Sequence, residues 1–467
     1  MVTATSDTQP GSARAPGPSV ADTLRSDSIA PPPPLLEQSY QFLGDAEIPF
    51  SRYTDTTFFQ SEMEKLWPKS WQWACREEHI PDVGDHYVYD IGKWSVIVVR
   101  AEDNVIRAFL NVCSHRGTRI LSTEGAGYSQ SLTCPFHGWS WDLNGQLTQL
   151  PGRWDFPHVS DASHGLDEVS CERWGGFVFI NIDPQAATLD NYLDCLPDHF
   201  KHFPLEQRRI KLHVEKVLPC NWKAAQEAFM EAYHNVETHN APNGANAQYD
   251  IFGKYVSRFI HTIGSYSPES LADYAGDRWR SPPLTETEQL QALGVTDAAA
   301  AEQAEQHTAR AVAAAIYREQ MSADMGVDLS ACSDSLMLDS IEYHLFPNMF
   351  FFPGISIPMC YRFRPNGMDT DTCIFDLMLL EPIAEGAEHQ EPPEPIKLSI
   401  DQSYTEAEGL SWLAPVYDED TGNLQMQQQG FKTSTRGGVT LGNYQESRIR
   451  RVHMTLDEFL DAPVTEA

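Results

Sequence analysis

The sequence predicts an α+β protein in which a small all-β domain precedes a larger domain with an antiparallel β-sheet covered by helices. Its 467 residues exceed the size at which one hydrophobic core stops growing, so two domains are expected. Short alternating strand patterns with turn residues between them fill the chain from Trp67 to Asp183. Beyond Thr188, strand and helix patterns are mixed without regular βα alternation, which favours an α+β domain.

The first part of the chain predicts a disordered tail. Residues 1–40 are rich in Ser, Thr, Ala, Gly and Pro, and they include a run of four prolines at 31–34. They lack the apolar stretch of a secretory signal. Residues 41–66 are expected to pack with the larger domain.

The small all-β domain is predicted over residues 67–187. Its strand patterns lie at residues 85–90, 94–100, 106–111 and 175–182. Two loops that carry both Cys and His lie at strand ends in this domain, where two hairpins can hold a metal centre between them.

The larger domain is predicted over residues 188–467. Helical patterns are expected at 221–235, 284–325 and 401–411. Strand patterns are expected near 255–265 and at 341–352, 359–365 and 372–382. This order fits an antiparallel sheet with helices on one face.

Composition excludes several partners. A formal net charge of −33 argues against nucleic acid and anionic membranes, which would repel such a surface. No apolar run approaches the length of a membrane span. Nine cysteines are too few and odd in number for a disulfide scaffold, which favours a reducing cytoplasm. Two basic islands, at 208–211 and 448–451, are candidates for docking an acidic redox partner.

The most informative motif pairs Cys113-Ser-His115 with Cys134-Pro-Phe-His137. A two-iron, two-sulfur cluster with one iron on two Cys and the other on two His needs such a mixed set. A structural zinc site is the alternative, but zinc fingers usually pair Cys with Cys and His with His. Here each loop carries one of each, which favours the cluster.

A second candidate site contains His234 and His239 within the predicted helix. A five-residue step turns about 140° on an ideal helix, so the helix must bend after His234 if both bind one ion. Two imidazoles and one carboxylate form the facial triad of non-haem Fe(II) oxygenases. The carboxylate candidates are Glu227, Glu231 and Glu237 nearby, and Asp418, Glu419 and Asp420 in a distant acidic segment.

The boxes around the first motif, His115-Arg116-Gly117 and His137-Gly138-Trp139, resemble those of Rieske proteins. With both sites considered, the chain after about Gln41 resembles the catalytic α subunit of a Rieske non-haem iron ring-hydroxylating oxygenase. The resemblance implies a helix-grip catalytic domain. It also implies Asp420 as the third iron ligand, because Asn423 and Gln428 follow at the family's spacing.

The same resemblance implies the cofactors and partners. One 2Fe-2S cluster per subunit would have its outer iron on Cys113 and Cys134 and its inner iron on His115 and His137. One Fe(II) per subunit would use O2 as co-substrate, with NAD(P)H consumed indirectly through a ferredoxin, a ferredoxin reductase or both. A head-to-tail homotrimer, or an α3β3 assembly with a small β subunit, would let the cluster of one subunit serve the iron of the next.

Glu231 departs from the family pattern. The family usually has an Asp three residues before the first His ligand, where it links the two metal sites across subunits. Glu keeps the charge but is one methylene, about 1.5 Å, longer. We expect Glu231 to form this bridge with altered geometry. Ala228 likewise replaces a frequent Asn.

The resemblance implies dihydroxylation or monooxygenation of a hydrophobic, aromatic substrate. An oxidative O- or N-demethylase is the alternative activity, and an electron carrier of the Rieske ferredoxin type or a zinc-stabilised scaffold is the alternative from another class. Arg362 and Arg364 are expected to face a strand surface or to anchor a substrate acid. The candidates for an apolar cavity are Phe229, Met230, Phe350, Phe351, Phe352, Ile355, Ile357, Met359 and Trp412.

Overall fold

Two large β-sheets organise the protein. The computed structural model describes residues 9–239, 247–264, 284–387 and 390–461. Its sheets contain seven and eight strands, and the larger sheet carries helices against it. The predicted α+β class, with a small β domain before a larger mixed one, is therefore confirmed.

The seven-stranded sheet has the order β2-β11-β10-β5-β4-β3-β6, and a three-stranded sheet, β7-β8-β9, lies beside it. All pairings in both are antiparallel. The strands are β2 Gln72–Arg76, β3 Asp85–Ile91, β4 Trp94–Glu102, β5 Val105–Leu110, β6 Gly125–Tyr128, β7 Leu132–Thr133, β8 Ser140–Trp141, β9 Leu147–Gln149, β10 Glu168–Trp174 and β11 Phe177–Asn181. The four predicted strands are confirmed, with ends shifted by one or two residues.

The eight-stranded sheet has the order β13-β14-β15-β16-β17-β18-β12-β19. It is antiparallel except where β12 meets β19. The strands are β12 Arg208–Leu218, β13 Ala247–Phe252, β14 Val256–His261, β15 Ser340–Leu345, β16 Met349–Phe351, β17 Met359–Asn366, β18 Asp369–Pro382 and β19 Ile396–Leu398. A short pair of strands, β1 Ile48–Pro49 and β20 Gly438–Val439, joins early and late parts of the chain.

Helices occupy the remaining regular segments. They are α1 Val20–Arg25, α2 Ser51–Thr54, α3 Thr56–Lys65, α4 Leu189–Leu193, α5 Leu196–Phe200, α6 Trp222–Glu227, α7 Asn235–Thr238, α8 Glu286–Ala292, α9 Ala298–Gln303, α10 Ala309–Met325, α11 Asp334–Leu338, α12 Leu413–Gly422, α13 Leu424–Thr433 and α14 Ser447–Asp461. The helical block predicted at 284–325 is confirmed as three helices. Within the described ranges, no helix is long and apolar enough to cross a membrane.

Two helix predictions are wrong in detail. The helix expected over 221–235 ends at Glu227, and a separate short helix begins after His234. The region 401–411 contains a 3₁₀ turn at Tyr404–Glu406 in place of the predicted helix. The next α-helix begins at Leu413. The acidic segment with Asp420 thus lies on a helix.

The predicted disordered tail is wrong for residues 9–40, whereas residues 1–8 lie outside the described residues. Val20, Leu24 and Leu35 are buried in the main core. The Asp27 carboxylate, which is fully buried, accepts hydrogen bonds from Arg310 at 3.2 Å. Composition cannot reveal such a partner, because it lies hundreds of residues away in the chain.

The two sheets share one apolar core. Trp73 on β2 packs edge-on against Phe351 on β16, with ring centroids 5.3 Å apart. Arg362 and Arg364, on β17, are buried at this junction, and Arg362 donates to Asp376 at 2.7 Å. Both arginines face neighbouring strands, as one of the two expectations holds, although the surface they face is buried. Neither lines the cavity at the candidate iron site, so the alternative that they anchor a substrate acid is wrong.

The basic islands do not form solvated charge patches. In the first, Arg208 is buried and donates to backbone carbonyls, including that of Gly354 at 3.1 Å. In the second, Arg448 and Arg450 are both buried. The charges of these three arginines serve internal contacts. They are therefore not available to a partner, which weakens the hypothesis that the two islands dock an acidic redox partner.

Candidate active site

The two Cys-and-His loops have the same backbone conformation. In the first, the N–H of Gly117 donates to the carbonyl of Cys113 at 2.9 Å, and in the second, Gly138 donates to Cys134 at 3.0 Å. Both glycines have positive φ angles, 75° and 73°, which glycine adopts without strain. Two equivalent loops therefore face each other at the ends of strands, as the sequence predicts.

The sulfur atoms lie at the buried end of this cradle. Cys113 and Cys134 are 3% and 2% exposed. Burial alone would raise the pKa of the Cys134 thiol, but backbone N–H groups of Phe136 and His137 lower it below its usual value. The N–H groups of His115 and Arg116 also face Cys113, but burial and the neighbouring Cys134 raise the pKa of the Cys113 thiol above its usual value. Such donors stabilise thiolates and iron-bound sulfur.

The imidazoles lie at the outer end. The His115 and His137 rings are 4.8 Å apart, and His115 stacks on Trp139 at 4.9 Å with nearly parallel planes. His115 Nδ1 is buried without a hydrogen-bond partner among the described residues. A buried unpaired nitrogen is costly, and a metal ligated there would satisfy it. The cradle therefore fits a cluster bound by two sulfurs and two ring nitrogens.

The second site brings together His234, His239 and Asp420. One carboxylate oxygen of Asp420 lies 3.3 Å from His234 Nε2 and 2.8 Å from His239 Nε2. Two ligand atoms each ~2.1 Å from one ion, at a right angle, lie about 3 Å apart. Among the described residues, two groups of three side chains have metal-binding atoms within 4.8 Å of one another, and these three side chains form one of them.

Local chain geometry explains how the two histidines meet. Helix α6, capped by Asn221, ends at Glu227, and the chain runs without regular structure until His234 caps α7. The bend thus precedes His234, whereas the sequence places it after this residue. Because His234 is outside the regular helix, the five-residue spacing no longer sets the angle between the rings.

Each histidine has a carboxylate on its other nitrogen. Glu231 Oε1 lies 2.8 Å from His234 Nδ1, and Glu419 Oε2 lies 2.7 Å from His239 Nδ1. A carboxylate on Nδ1 fixes the ring and leaves Nε2 for a metal. Of the nearby candidates, Glu231 therefore lies behind the ligand set, and Glu227 binds Tyr53 and His453 instead.

The electrostatics of this set favour a cation. Burial opposes the charged imidazole, but hydrogen bonds to Asp420 and Glu231 raise the pKa of His234 to about 10. Burial also opposes the Asp420 carboxylate, yet the two histidines keep its pKa below the ordinary value. The three side chains therefore stabilise positive charge between them. Two imidazoles and one carboxylate are the donor set of non-haem Fe(II) sites.

A cavity of about 290 Å3 opens directly on this set. Of the residues that the sequence proposes for an apolar cavity, five line it: Phe229, Phe352, Ile357, Met359 and Trp412. Met230, Phe350, Phe351 and Ile355 do not line it. Further apolar lining comes from Phe259, Ile263, Tyr361, Leu413, Val416 and Tyr417.

Sequence reasoning missed the polar wall of the cavity. His261, Ser340 and Glu342 line it from neighbouring strands, and Phe259 and Glu342 are direct cross-strand partners. Glu342 is buried, and its carboxylate accepts from the Tyr361 hydroxyl at 2.7 Å. The available signal was a charged residue inside the predicted strand at 341–352, because such residues are rarely buried without a partner.

Comparison with known families agrees with this geometry. Residues 70–159 match the Rieske [2Fe-2S] domain family, and residues 199–462 match the catalytic domain of the ring hydroxylating alpha subunit. The second match alone covers more than half of the chain.

Relatives with established names match over part of their length. The alpha subunit of biphenyl 2,3-dioxygenase from Rhodococcus jostii (strain RHA1) is 35% identical over 189 residues, 39% of this chain and 41% of that protein. The oxygenase subunit of carnitine monooxygenase from Escherichia coli (strain K12) is 33% identical over 189 residues, 40% of this chain and 50% of that protein. The matches thus span half or less of each relative.

Solved structures share the fold over most of the chain. Naphthalene 1,2-dioxygenase from Rhodococcus sp., bound to indole, has a TM-score of 0.59 at 18% identity, covering 89% of this chain and 95% of that one. The apo form of a quaternary ammonium Rieske monooxygenase has a TM-score of 0.60 at 17% identity, covering 89% and 96%. With its cluster cradle, its histidine and aspartate site and these matches, the chain belongs to the family of Rieske-type ring-hydroxylating alpha subunits.

Proposed function

We propose that this chain is the oxygenase component of a multicomponent Rieske system and that it hydroxylates a hydrophobic substrate with O2. The observation that carries this proposal is that the three candidate iron ligands line the same cavity as the aromatic side chains. A substrate in the cavity would therefore lie against the metal.

The cradle residues would hold the cluster, and the triad would hold iron. Cys113 and Cys134 would bind the outer iron, and His115 and His137 the inner one. His234, His239 and Asp420 would bind the mononuclear ion. With both groups bound, the cluster supplies single electrons and the iron provides open positions for oxygen chemistry.

Glu231 would connect the two sites between subunits. Its carboxylate holds His234 Nδ1, and it lines the cavity beside the triad. In the cradle, the sulfurs are buried and His137 is exposed, so electrons would leave through the imidazoles. A ring-shaped homotrimer would bring the cradle of one subunit to Glu231 of the next, with or without a β subunit.

The domain limits and the cellular context belong to the same proposal. A packing segment at 41–66 would precede a Rieske domain at 67–187 and a catalytic domain at 188–467. A ferredoxin, a ferredoxin reductase or both would deliver electrons from NAD(P)H. Cysteine usage, with two thiols needed reduced for the cluster, supports a cytoplasmic location.

Two reaction classes fit the cavity, and the relatives include both. The apolar lining suits dioxygenation of an arene, and biphenyl is the substrate named for one relative, a 2,3-dioxygenase. The polar wall with Glu342 suits a substrate that also carries a polar or cationic group, and carnitine is the substrate named for another relative. Monooxygenation, including oxidative demethylation, is therefore the second candidate.

The test combines metal analysis with product analysis. Anaerobically reconstituted protein should contain two irons with two sulfides in the cluster and one further iron in the triad. Reduced protein is then incubated under 18O2 with biphenyl, benzene, carnitine and glycine betaine, and products are analysed by mass spectrometry. Labelled diol supports dioxygenation, and a labelled mono-alcohol or released aldehyde supports monooxygenation. Two irons only, with no labelled product, would leave an electron carrier.

A further inference from the structure

Arg448 joins the cavity wall to the chain beside Glu231. This residue of α14 is fully buried, with 0% of its surface exposed. Its Nη2 donates to Glu342 Oε1 at 2.7 Å, and its Nη1 donates to the backbone carbonyl of Met230 at 3.0 Å. Its Nε donates to the Ser257 hydroxyl at 3.1 Å. One rigid guanidinium therefore holds three acceptors from three different segments.

The segment that Arg448 holds has little regular structure of its own. Residues 228–234 lie between helices α6 and α7. On one side of Glu231, the Met230 carbonyl accepts from Arg448. On the other side, the Ala232 N–H donates to the Tyr249 hydroxyl at 3.0 Å. Glu231 is thus flanked by two backbone groups that side chains from elsewhere hold in place.

We propose that Arg448 is a positioning residue, which fixes the backbone of Met230 and Glu231 relative to the cavity wall and thereby orients His234. The inference rests on the proposed iron site. Glu342 orients the guanidinium, because a buried carboxylate and a buried arginine hold each other in a fixed geometry. Glu231 passes that geometry to His234 through its contacts with the ring and the backbone N–H.

A consequence concerns the cavity. Glu342 and Tyr361 both line it, so a molecule bound there contacts the residues that orient Arg448. Movement of Glu342 would therefore be transmitted through Arg448 to Met230 and Glu231. Under this proposal, a molecule bound against Glu342 would also influence the orientation of the His234 ring.

The matched control is Arg450 on the same helix. It is also buried, at 4% exposed, but it donates to the carbonyl of Ala46 at 2.6 Å and does not line the cavity. Arg450→Lys therefore reproduces the loss of a buried guanidinium without touching Glu342 or Met230. Arg448→Lys removes the fork that reaches three acceptors at once.

The experiment uses nitric oxide as a probe of the mononuclear iron. Full-length protein is loaded with iron, the cluster is kept oxidised, and the iron–nitrosyl electron paramagnetic resonance signal is recorded for each variant. For Arg448→Lys we expect the iron–nitrosyl signal to show several components, because the iron is held in more than one ligand geometry. We also expect a chelator to remove the iron about tenfold faster. Arg450→Lys should match the native protein in both measurements.

Glu342→Gln is the second variant, because it keeps the side-chain volume but removes the charge that orients Arg448. We expect an intermediate effect, and this variant decides the matter if Arg448→Lys does not fold. Native-like signals and iron retention in the folded Arg448 and Glu342 variants would overturn the inference. Absence of any iron–nitrosyl signal in the native protein would instead overturn the proposed iron site.

Discussion

The carboxylate of Glu231 contacts His234 at two points. Oε1 lies 2.8 Å from the ring Nδ1, and Oε2 accepts the backbone N–H at 3.0 Å. The side chain thus fixes both the ring and the start of helix α7. The extra methylene relative to Asp does not prevent Glu231 from reaching the ring.

Replacing Glu231 by Gln should slow electron delivery and leave both metal centres bound. Gln has only one acceptor oxygen, so the ring and the backbone N–H can no longer both be held. We expect a loss of about 10- to 100-fold in the rate at which the reduced cluster is reoxidised with oxygen present. Stopped-flow absorbance of the cluster measures this rate, and full activity would refute the bridge.

Glu419→Gln provides the comparison at the other histidine. Glu419 makes the same kind of contact with His239 Nδ1, but its side chain is 51% exposed against 10% for Glu231. Water can replace an exposed carboxylate, so we expect less than about a threefold change in the same rate. If Glu419→Gln slows cluster reoxidation as much as Glu231→Gln does, the burial of the carboxylate does not explain the importance of Glu231.

Asp420→Ala should empty the triad of iron and spare the cluster. Among the residues that the structure describes, this carboxylate is the one acidic group within contact distance of both Nε2 atoms, and an alanine offers no replacement ligand. The iron content per chain should fall by the one mononuclear ion, while the visible absorption spectrum of the cluster persists. Retention of all iron would mean that another residue supplies the third ligand.

The choice of Asp420 over its neighbours illustrates what sequence can and cannot provide. Asp418, Glu419 and Asp420 are adjacent, and successive residues on a helix point about 100° apart. In α12, Asp418 accepts hydrogen bonds from the Ser403 hydroxyl and the Tyr404 N–H. Glu419 contacts Nδ1 of His239, and Asp420 contacts Nε2 of both histidines. The resemblance to the family, through Asn423 and Gln428, implied the same residue, and the helix supplies the physical reason.

Long-range contacts were beyond sequence reasoning. The composition of residues 9–40 predicts disorder because it shows no local reason to fold. The partners of this segment, such as Arg310 for Asp27, lie 283 residues away. The same limit applies to Arg448, whose charge predicts a surface patch until Glu342 is seen opposite it.

Asp27→Ala should destabilise the protein by about 2 kcal/mol, because it removes a buried acceptor from Arg310 and from the N–H of Ser335. Thermal or denaturant unfolding measures the loss. Arg25→Ala is the control, because that side chain is 58% exposed and should change stability by less than about 0.5 kcal/mol. Equal effects would contradict a specific role for Asp27.

Glu446 should make stability depend on pH. Burial, aided by the charges of Glu231 and Glu227, raises the pKa of Glu446 from 4.5 to about 7. The folded protein then binds this proton more tightly than the unfolded chain, so the free energy of unfolding falls as pH rises through this window. Above this pH window, Glu446 is charged in both the folded and the unfolded chain, and its destabilising effect on the folded protein is at its maximum.

Glu446→Gln removes this penalty and retains an acceptor for the Gly442 N–H. Because Glu446 is only partly buried, solvent screens part of this penalty, and we expect the variant to be more stable than the native protein by about 1 kcal/mol at about pH 8.5, with little gain at about pH 5. Urea unfolding at both values tests this. A gain independent of pH would show that the charge is not the cause.

The two sites close over very different lengths of chain. The cluster cradle is complete within residues 113–139, whereas Glu419 and His239 are 180 residues apart and Tyr53 reaches His453 across 400. During synthesis on the ribosome, the cradle can therefore form while the last helices are still untranslated. The group of His234, His239 and Asp420 is complete only once the segment around Asp420 has been translated, so a chain terminated before that segment would carry the cradle without Asp420.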